Sequence, residues 1–384
     1  MFDQTTLNRA TVEIINLGDA SNLETKFWAI MYSLVLFEIE VLTEFTSGGL
    51  LWWSKTYRAE LRQFQGRHIA SELAEDPEFG VKATLEPTMA SHRFSRLVRF
   101  VPTADPNKVL IGQPQQDDID VGMALYQNLE VKVHVFSGHS ILDPGQKTGA
   151  TAVISRLLSP LASSEAGTIR CIGLNYKNHA AEVGLDLPTL PTVFLKPSTS
   201  IGDPWPSVTP LPKLTQVDDC GDYEAELAVV IGRSAKNVSK DAAMDYILGY
   251  TAANDVSSRT SQFAQSQWCF SKGFDGSCPL GPALVSKEAM PDPSKFRMRG
   301  LKGAQVLQDS HVDDLIFDIP TLVSFLSQGT TLPPGTVILT GTPAGVGVGR
   351  KPKITISDGD EFSVEILPHI GTLVNRFENE AVSE

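Results

Sequence analysis

Proline sets the first limit on what this chain can become. Pro77 and Pro87 are the only prolines before residue 89, and the other 22 are spread through the remainder of the 384 residues. Each proline lacks a backbone donor and breaks a helix interior, so the stretch after residue 88 must be built from short elements. Between the prolines lie runs rich in valine and aromatics, as strands prefer. They fall at 96–101, 109–112, 131–136, 169–173, 192–196, 224–231, 246–253, 335–340 and 361–366. Helical patterning is expected at 148–165, 176–183, 240–246 and 319–327, with a small polar linker at 163–167. Strands outnumber helices and no regular βαβ alternation appears, so the expected class is a β-rich α+β fold rather than a doubly wound one.

Hydrophobic residues make up 42% of the chain and charged residues 20%, enough apolar material for a packed core. A net charge of −13 repels phosphate backbones, which argues against nucleic acid and for a small molecule or metal ion. The four cysteines, Cys171, Cys220, Cys269 and Cys278, form no paired C-x-x-C pattern. A reducing compartment follows as the expectation. Asp3, Glu13 and Asp19 stand where a signal or transit peptide needs a basic, acid-poor start, so a cytoplasmic protein is expected over a mitochondrial one. In the apolar stretch 27–53 the uncharged run from Phe27 stops at Phe37, after which Glu38, Glu40 and Glu44 follow. A buried or membrane-surface helix fits that stretch; an integral span does not.

Four segments hold candidate chemistry. In the run beginning Asp222-Tyr223-Glu224-Ala225-Glu226, Glu224 and Glu226 share one face of a strand that continues as a wholly apolar sequence to Ile231. Two neighbouring carboxylates repel unless a positive charge lies between them, so the pair either binds a hard divalent cation or projects into water from an edge strand. Asp255 follows a second apolar strand, and carboxylates at the ends of neighbouring strands suit a three-ligand metal site. Arg259, Gln262 and Lys272 come next, where they could hold an anionic substrate or stand as solvated surface charges. His179 and Glu182 are three apart on a predicted helix, a spacing that serves an oriented general base or a structural pair. The loop Leu339-Thr340-Gly341-Thr342-Pro343-Ala344-Gly345-Val346-Gly347-Val348-Gly349 lacks the spacing of a nucleotide-binding motif. Its amides and the Thr342 hydroxyl are expected to approach a carboxylate instead.

Read in order, these segments resemble the fumarylacetoacetate hydrolase family. The matching pieces are N-Y-x-x-H-x-x-E from Asn175, F-L-K-P from Phe194, Y-E-x-E-L-A-V-V-I-G from Tyr223 and N-D-V-S-x-R from Asn254. Q-W-x-x-x-K-x-F-D-x-x-C-P-L-G-P from Gln267 and L-T-G-T-P-x-G-V-G from Leu339 complete the set. The resemblance covers about residues 167–375, and residues 89–165 resemble the small N-terminal domain of many members. It implies a mixed β-roll catalytic domain at 167–384 behind a small N-terminal β domain at 89–166, usually in a homodimer. Residues 1–88 match nothing in the family and are read as an extension, either a poorly ordered accessory segment or a helical partner-binding or lid element.

For the site, the resemblance implies Mg²⁺ or Mn²⁺ held by Glu224, Glu226 and Asp255. It implies catalytic roles for His179, Glu182 and Lys272, and substrate contacts from Arg259, Gln262, Thr342 and Tyr176. The implied activity is cleavage of a carbon–carbon bond in an acylpyruvate or related 2-oxo or diketo acid, through a metal-stabilised enolate. Decarboxylation of an oxaloacetate-type acid, keto–enol tautomerisation or isomerisation on the same scaffold, and a non-catalytic metal-binding role are the alternatives. Two departures bear on the choice. Asn175 stands near an extra metal-ligand Asp of the fumarylacetoacetases proper, which points to three carboxylates and the smaller-substrate branch. Leu174 stands where acylpyruvases of that branch often carry Arg.

Overall fold

The computed structural model describes residues 94–217 and 221–381. The extension read at 1–88, its apolar stretch 27–53, the segment start at Met89 and Cys220 lie outside the described residues.

The chain opens with β1 (Arg96–Pro102), β2 (Leu110–Pro114), α1 (Val121–Tyr126), β3 (Lys132–Phe136) and β4 (Lys147–Leu158). Next come β5 (Ile169–Gly173), α2 (Lys177–Val183), β6 (Thr192–Lys196), β7 (Ile201–Gly202), β8 (Val208–Leu211) and α3 (Lys213–Val217). The central stretch holds β9 (Gly221–Asp222), β10 (Ala225–Ile231), β11 (Ile247–Asn254), β12 (Ser257–Ser258), α4 (Arg259–Ala264), α5 (Cys269–Lys272) and β13 (Cys278–Ser286). The last stretch is β14 (Arg297–Lys302), β15 (Gln305–His311), α6 (Ile319–Leu326), β16 (Val337–Leu339), β17 (Glu361–Ile366) and β18 (Gly371–Asn379).

Among the described residues these strands form a large sheet in the order β2-β3-β4-β1-β13-β11-β10-β16-β5-β6, with β7 alongside β13. A five-stranded sheet, β15-β14-β17-β18-β8, and the short β12-β9 ladder complete the set. Parallel pairs (β16 with β5, β18 with β8) mix with antiparallel ones, so the fold is the β-rich α+β class expected. None of the described helices is long and apolar enough to cross a membrane.

β10 is buried along its whole length, and its alternation feeds two cores. Leu227, Val229 and Ile231 join the main cluster with Tyr223, Tyr250, Phe362 and Phe377. Ala228 and Val230 join a second cluster with Cys171, Phe194, Ala253 and Leu280. A third, smaller cluster under β1, β3 and β4 gathers Val98, Phe100, Val133 and Leu157. The 3.6-residue period of α6 is visible in its buried set, Ile319, Leu322, Val323 and Leu326, and Asp318 caps it through the Thr321 amide at 2.9 Å.

Two sequence readings require correction. Residues 148–165 are not helical. β4 occupies Lys147–Leu158 and pairs with both β1 and β3, which satisfies its backbone on both sides. Thr148, Thr151, Val153 and Ile154 are β-branched and lose little as a strand. At 240–246 only Ala243–Tyr246 forms a single 3₁₀ turn. β13 escaped the sequence reading because Pro279 and Pro282 argue against an interior strand. The ladder with β11 shifts register between Tyr250 and Ala252, opposite residues 282–284. Pro282 therefore falls where the ladder needs no donor.

Candidate active site

β10 and β11 are antiparallel neighbours with Ala225 opposite Asn254 and Glu226 opposite Ala253. This register brings the start of one strand beside the end of the other. Glu224 and Glu226 lie on the face that carries Ala228 and Val230, and Asp255, just beyond β11, keeps the parity of Ala253 on that same face. The Asp255 amide donates to the Glu224 carbonyl at 2.9 Å, and Asn254 Oδ1 accepts from the Glu224 amide at 3.1 Å. Local backbone pairing thus sets the spacing of two acids that are 31 residues apart. Ligand oxygens of Glu224, Glu226 and Asp255 all lie within 4.8 Å of one another, and all three side chains are buried.

Three cations enter the cluster. Lys272, the last residue of α5, donates from Nζ to Glu224 Oε2 at 2.8 Å and to Asp255 Oδ2 at 2.7 Å. Lys196, at the end of β6, donates to Asp255 Oδ1 at 2.5 Å and to the Ser277 carbonyl at 2.8 Å. Arg259 opens α4 and spans two acids, with Nε on Asp222 Oδ2 and Nη1 on Glu224 Oε1, both at 2.7 Å. Gln262 Oε1 accepts a further Arg259 Nη1 bond at 2.8 Å. Arg259 Nη2 is buried and has no hydrogen-bond partner among the described residues. It is a buried donor of the cluster with nothing to receive it.

The electrostatics follow from these contacts. Burial pushes the Glu224 carboxyl up, but Lys272 and Arg259 outweigh it and hold the group down at about 2. Burial opposes the charge of Lys272, yet Asp255 and Glu224 raise its pKa above the ordinary lysine value. Glu226 behaves in the opposite way. Burial pushes its carboxyl well above the usual range, and the nearby Asp255 and Glu224 charges add to the effect. Glu226 accepts the Gly341 amide at 2.6 Å and has no ion-pair partner among the described residues.

Four buried acids, Asp222, Glu224, Glu226 and Asp255, face three buried cations, Lys196, Arg259 and Lys272. This cluster is short of positive charge, the other buried cation among the described residues, Arg96, being spent on backbone carbonyls, and the shortfall falls on Glu226. Three converging carboxylate oxygens in that setting are hard donors suited to a divalent cation. The residues present therefore fit a metal ion, and Glu224, Glu226 and Asp255 could hold it.

The glycine-rich loop after β16 also meets carboxylates, and they belong to the protein. Gly341 N–H donates to Glu226, Gly345 N–H to Glu182 Oε1 at 2.8 Å, and the Gly347 and Val348 amides to Asp222 at 2.8 and 2.9 Å. At Gly341 φ is +102°, and an added Cβ would sit 2.8 Å from the Asn175 Cβ, so this position needs glycine. Thr342 Oγ1 donates to the Ala225 carbonyl at 3.0 Å and accepts from Gln308 Nε2 at 2.7 Å. Its hydroxyl locks the loop onto β10.

α2 carries the dyad. His179 Nδ1 and Glu182 Oε2 are 2.8 Å apart, both partly exposed. Gly184 ends the helix in the left-handed region, where glycine is unstrained. Burial pushes the Glu182 carboxyl up, but the His179 hydrogen bond, the Gly345 amide and Arg350 bring it below the ordinary value. Asn178 pins the same helix, with Nδ2 on Ser310 Oγ at 3.0 Å and Oδ1 accepting from the Ala344 amide at 3.2 Å. α2 is thereby docked on the loop that also contacts Glu226 and Asp222.

Of the residues singled out in the sequence, Glu224, Glu226, Asp255, Arg259, Gln262 and Lys272 form one connected cluster. His179 and Glu182 reach it through the glycine-rich loop, and Thr342 lies at the base of that loop. Tyr176 precedes α2 and is fully buried in the main core, with a hydroxyl that has no partner among the described residues. Burial and the Glu226 charge push that hydroxyl's pKa up. Asn175 spends its side chain on backbone groups, donating to the Thr340 and Phe317 carbonyls and accepting from the Phe317 amide. It is no member of the acidic group. Asp222, Lys196 and Gln308 belong to the site and were not picked out. For Lys196 a signal was present, a lysine on the inward parity of an apolar strand; for Asp222 and Gln308 none was.

A family profile described as fumarylacetoacetate (FAA) hydrolase, C-terminal, matches residues 168–378. A caffeoylpyruvate hydrolase of Neonothopanus nambi is 42% identical over 297 residues, covering 76% of this chain and 95% of the relative. A mitochondrial oxaloacetate tautomerase of Rattus norvegicus is 39% identical over 207 residues, covering 54% of this chain and 64% of the relative. Among solved structures, a 2-hydroxyhepta-2,4-diene-1,7-dioate isomerase from Mycobacterium marinum superposes with a TM-score of 0.60 at 33% identity. That match covers 75% of this chain and all of the other.

Proposed function

This chain belongs to the fumarylacetoacetate hydrolase family, and we propose that it hydrolyses a carbon–carbon bond in an acylpyruvate or a related 2-oxo acid. The observation that carries the reading is the buried cluster of three converging carboxylates, one of them without a counter-charge, beside a hydrogen-bonded His–Glu pair. A relative that is 42% identical over most of the chain and is named for an acylpyruvate substrate supports it.

Glu224, Glu226 and Asp255 would hold a divalent ion, Mg²⁺ or Mn²⁺, which when bound would supply Lewis acidity to a 2-oxo acid. Arg259 Nη2, an unspent buried donor, binds the substrate carboxylate, and Gln262 keeps the guanidinium in plane. Lys272 adds a fixed positive charge where negative charge develops. Thr342 holds the glycine-rich loop on β10, and Tyr176, which the resemblance placed at the substrate, instead lies inside the main core and supports the entry to α2. Glu182 holds His179 by Nδ1, leaving Nε2 to take a proton from water. The hydroxide attacks the acyl carbonyl, the bond between that carbon and C3 breaks, and its electron pair remains on the pyruvate fragment as the enolate. A proton delivered to C3 completes pyruvate.

The second reading is tautomerisation of an oxaloacetate-type acid, favoured by the 39% identical tautomerase. It uses the same enolate and needs no attacking water. Turnover of acylpyruvates and oxaloacetate with added Mn²⁺ separates the two. Asp255→Ala is expected to abolish turnover of either class; undiminished activity in that variant would sink the proposal. His179→Ala should stop hydrolysis about 10²–10⁴-fold while sparing tautomerisation.

Further parts of the reading are a homodimer, supported by the family, and a cytoplasmic location, supported by free Cys171, Cys269 and Cys278. A division into a small N-terminal domain at 89–166 and a catalytic domain at 167–384 is supported by the start of the family match at residue 168, although β1 pairs with β13 and the small core takes in Ala283. Light scattering and cell fractionation test the first two.

A further inference from the structure

The three elements that deliver charged groups to the site also present bare apolar side chains to solvent. Phe263 lies one helical turn beyond Arg259 on α4 and is 72% exposed. Phe270, two residues before Lys272 on α5, is 58% exposed. On the dyad side, α2 ends at Val183, and Leu185, Leu187 and Leu190 follow, with Leu190 65% exposed. Scattered exposed apolar residues are ordinary, but these sit on or directly after the elements that carry Arg259, Lys272 and the His179–Glu182 pair.

Charge sharpens the point. Residues 260–271 carry no charged side chain, and residues 183–195 carry only Asp186, in a chain whose net charge is −13. The site's own cations, Lys196, Arg259 and Lys272, are each tied to an interior carboxylate. A substrate with a second, distal carboxylate finds no cation on these two segments, whereas an apolar tail would cover Phe263, Phe270 and the leucines.

We propose that this rim selects 2-oxo acids whose acyl group is large, uncharged and apolar, aromatic above all, over those ending in a methyl or a carboxylate. This rests on the acylpyruvate hydrolase reading. Packing an aromatic acyl group between the α4–α5 phenylalanines and the leucines after α2 excludes water from both surfaces.

The test uses the full chain with saturating Mn²⁺ and three substrates: benzoylpyruvate, acetylpyruvate and oxaloacetate. The expected kcat/KM for benzoylpyruvate exceeds that for acetylpyruvate by about 10–200-fold, the range one apolar contact set discriminates. Phe263→Ala combined with Phe270→Ala should remove at least tenfold of that preference by raising KM for benzoylpyruvate, leaving acetylpyruvate unchanged. Equal turnover of the two acylpyruvates overturns the proposal while leaving the hydrolase reading intact. Preference for oxaloacetate overturns it too, and directs attention to Lys177, the exposed cation at the start of α2. An unchanged preference in the double variant, with a reduced mass by light scattering, overturns it by showing that the rim is a contact between copies. Absence of turnover with all three substrates overturns the hydrolase reading; direct titration with the two acylpyruvates then decides the rim, equal Kd values overturning it.

Discussion

At the scale of single residues, the site works by pairing each buried charge except one. Asp222 illustrates the economy: its two oxygens accept the Tyr223, Gly347 and Val348 amides and the Arg259 guanidinium. The residue thereby joins the glycine-rich loop to the carboxylate cluster. Lys196 does the same between β6 and Asp255. Glu182 couples the dyad to the loop, and its depressed carboxyl carries a pH signature. A folded-state value below the unfolded one gives stability that is complete above about pH 5, beyond the unfolded glutamate value, and is lost as pH falls through the folded value. Hydrogen exchange of the Gly345 amide should therefore accelerate below about pH 4, ahead of amides in β10. If both exchanged in parallel across that range, Glu182 would not be what docks α2.

At the scale of elements, the glycine-rich loop is the joint on which the site depends. Gly341→Ala forces a strained backbone and a contact with Asn175, at a cost of about 1–3 kcal/mol. It should also shift the amide that donates to Glu226, so Mn²⁺ affinity is expected to fall with thermal stability. Calorimetric titration beside a melting curve measures both; a full-affinity variant would show that the loop does not position Glu226. The legibility of elements divides by the same physics. β5, β6 and β17 are plain in the sequence because compact apolar runs have one good solution, a strand. β4 and β13 are not: one is polar on much of its length and the other contains two prolines. Each is a strand because neighbours on either side pair with it, and no local pattern records a neighbour. The Glu224–Glu226 parity is local and readable, whereas the β10–β11 register that brings Asp255 to them is not.

At the scale of the whole molecule, the proposed metal site predicts that stability depends on a bound cation. A divalent ion at about 100 times its Kd should add about 2.7 kcal/mol, raising Tm by several degrees, with reversal on chelation. Glu226→Gln should abolish that rise without lowering the Tm of the metal-free protein, since it removes a buried acid that has no ion-pair partner. A metal-free variant much less stable than the parent would place the charge shortfall elsewhere.

The amino-acid sequence by itself determined the class of fold, the family and five of the cluster's charged residues, Glu224, Glu226, Asp255, Arg259 and Lys272, because strand parity, helix spacing and motif order are properties of neighbours along the chain. Only the tertiary structure decided which carboxylate lacks a counter-charge, which amides the glycine-rich loop spends on the protein's own acids, and that Lys196 and Asp222 complete the cluster. The physical reason is distance. Buried ion pairs form between residues as far apart in sequence as Lys196 and Asp255, and their balance is set by packing that brings four strands and two helices to one point.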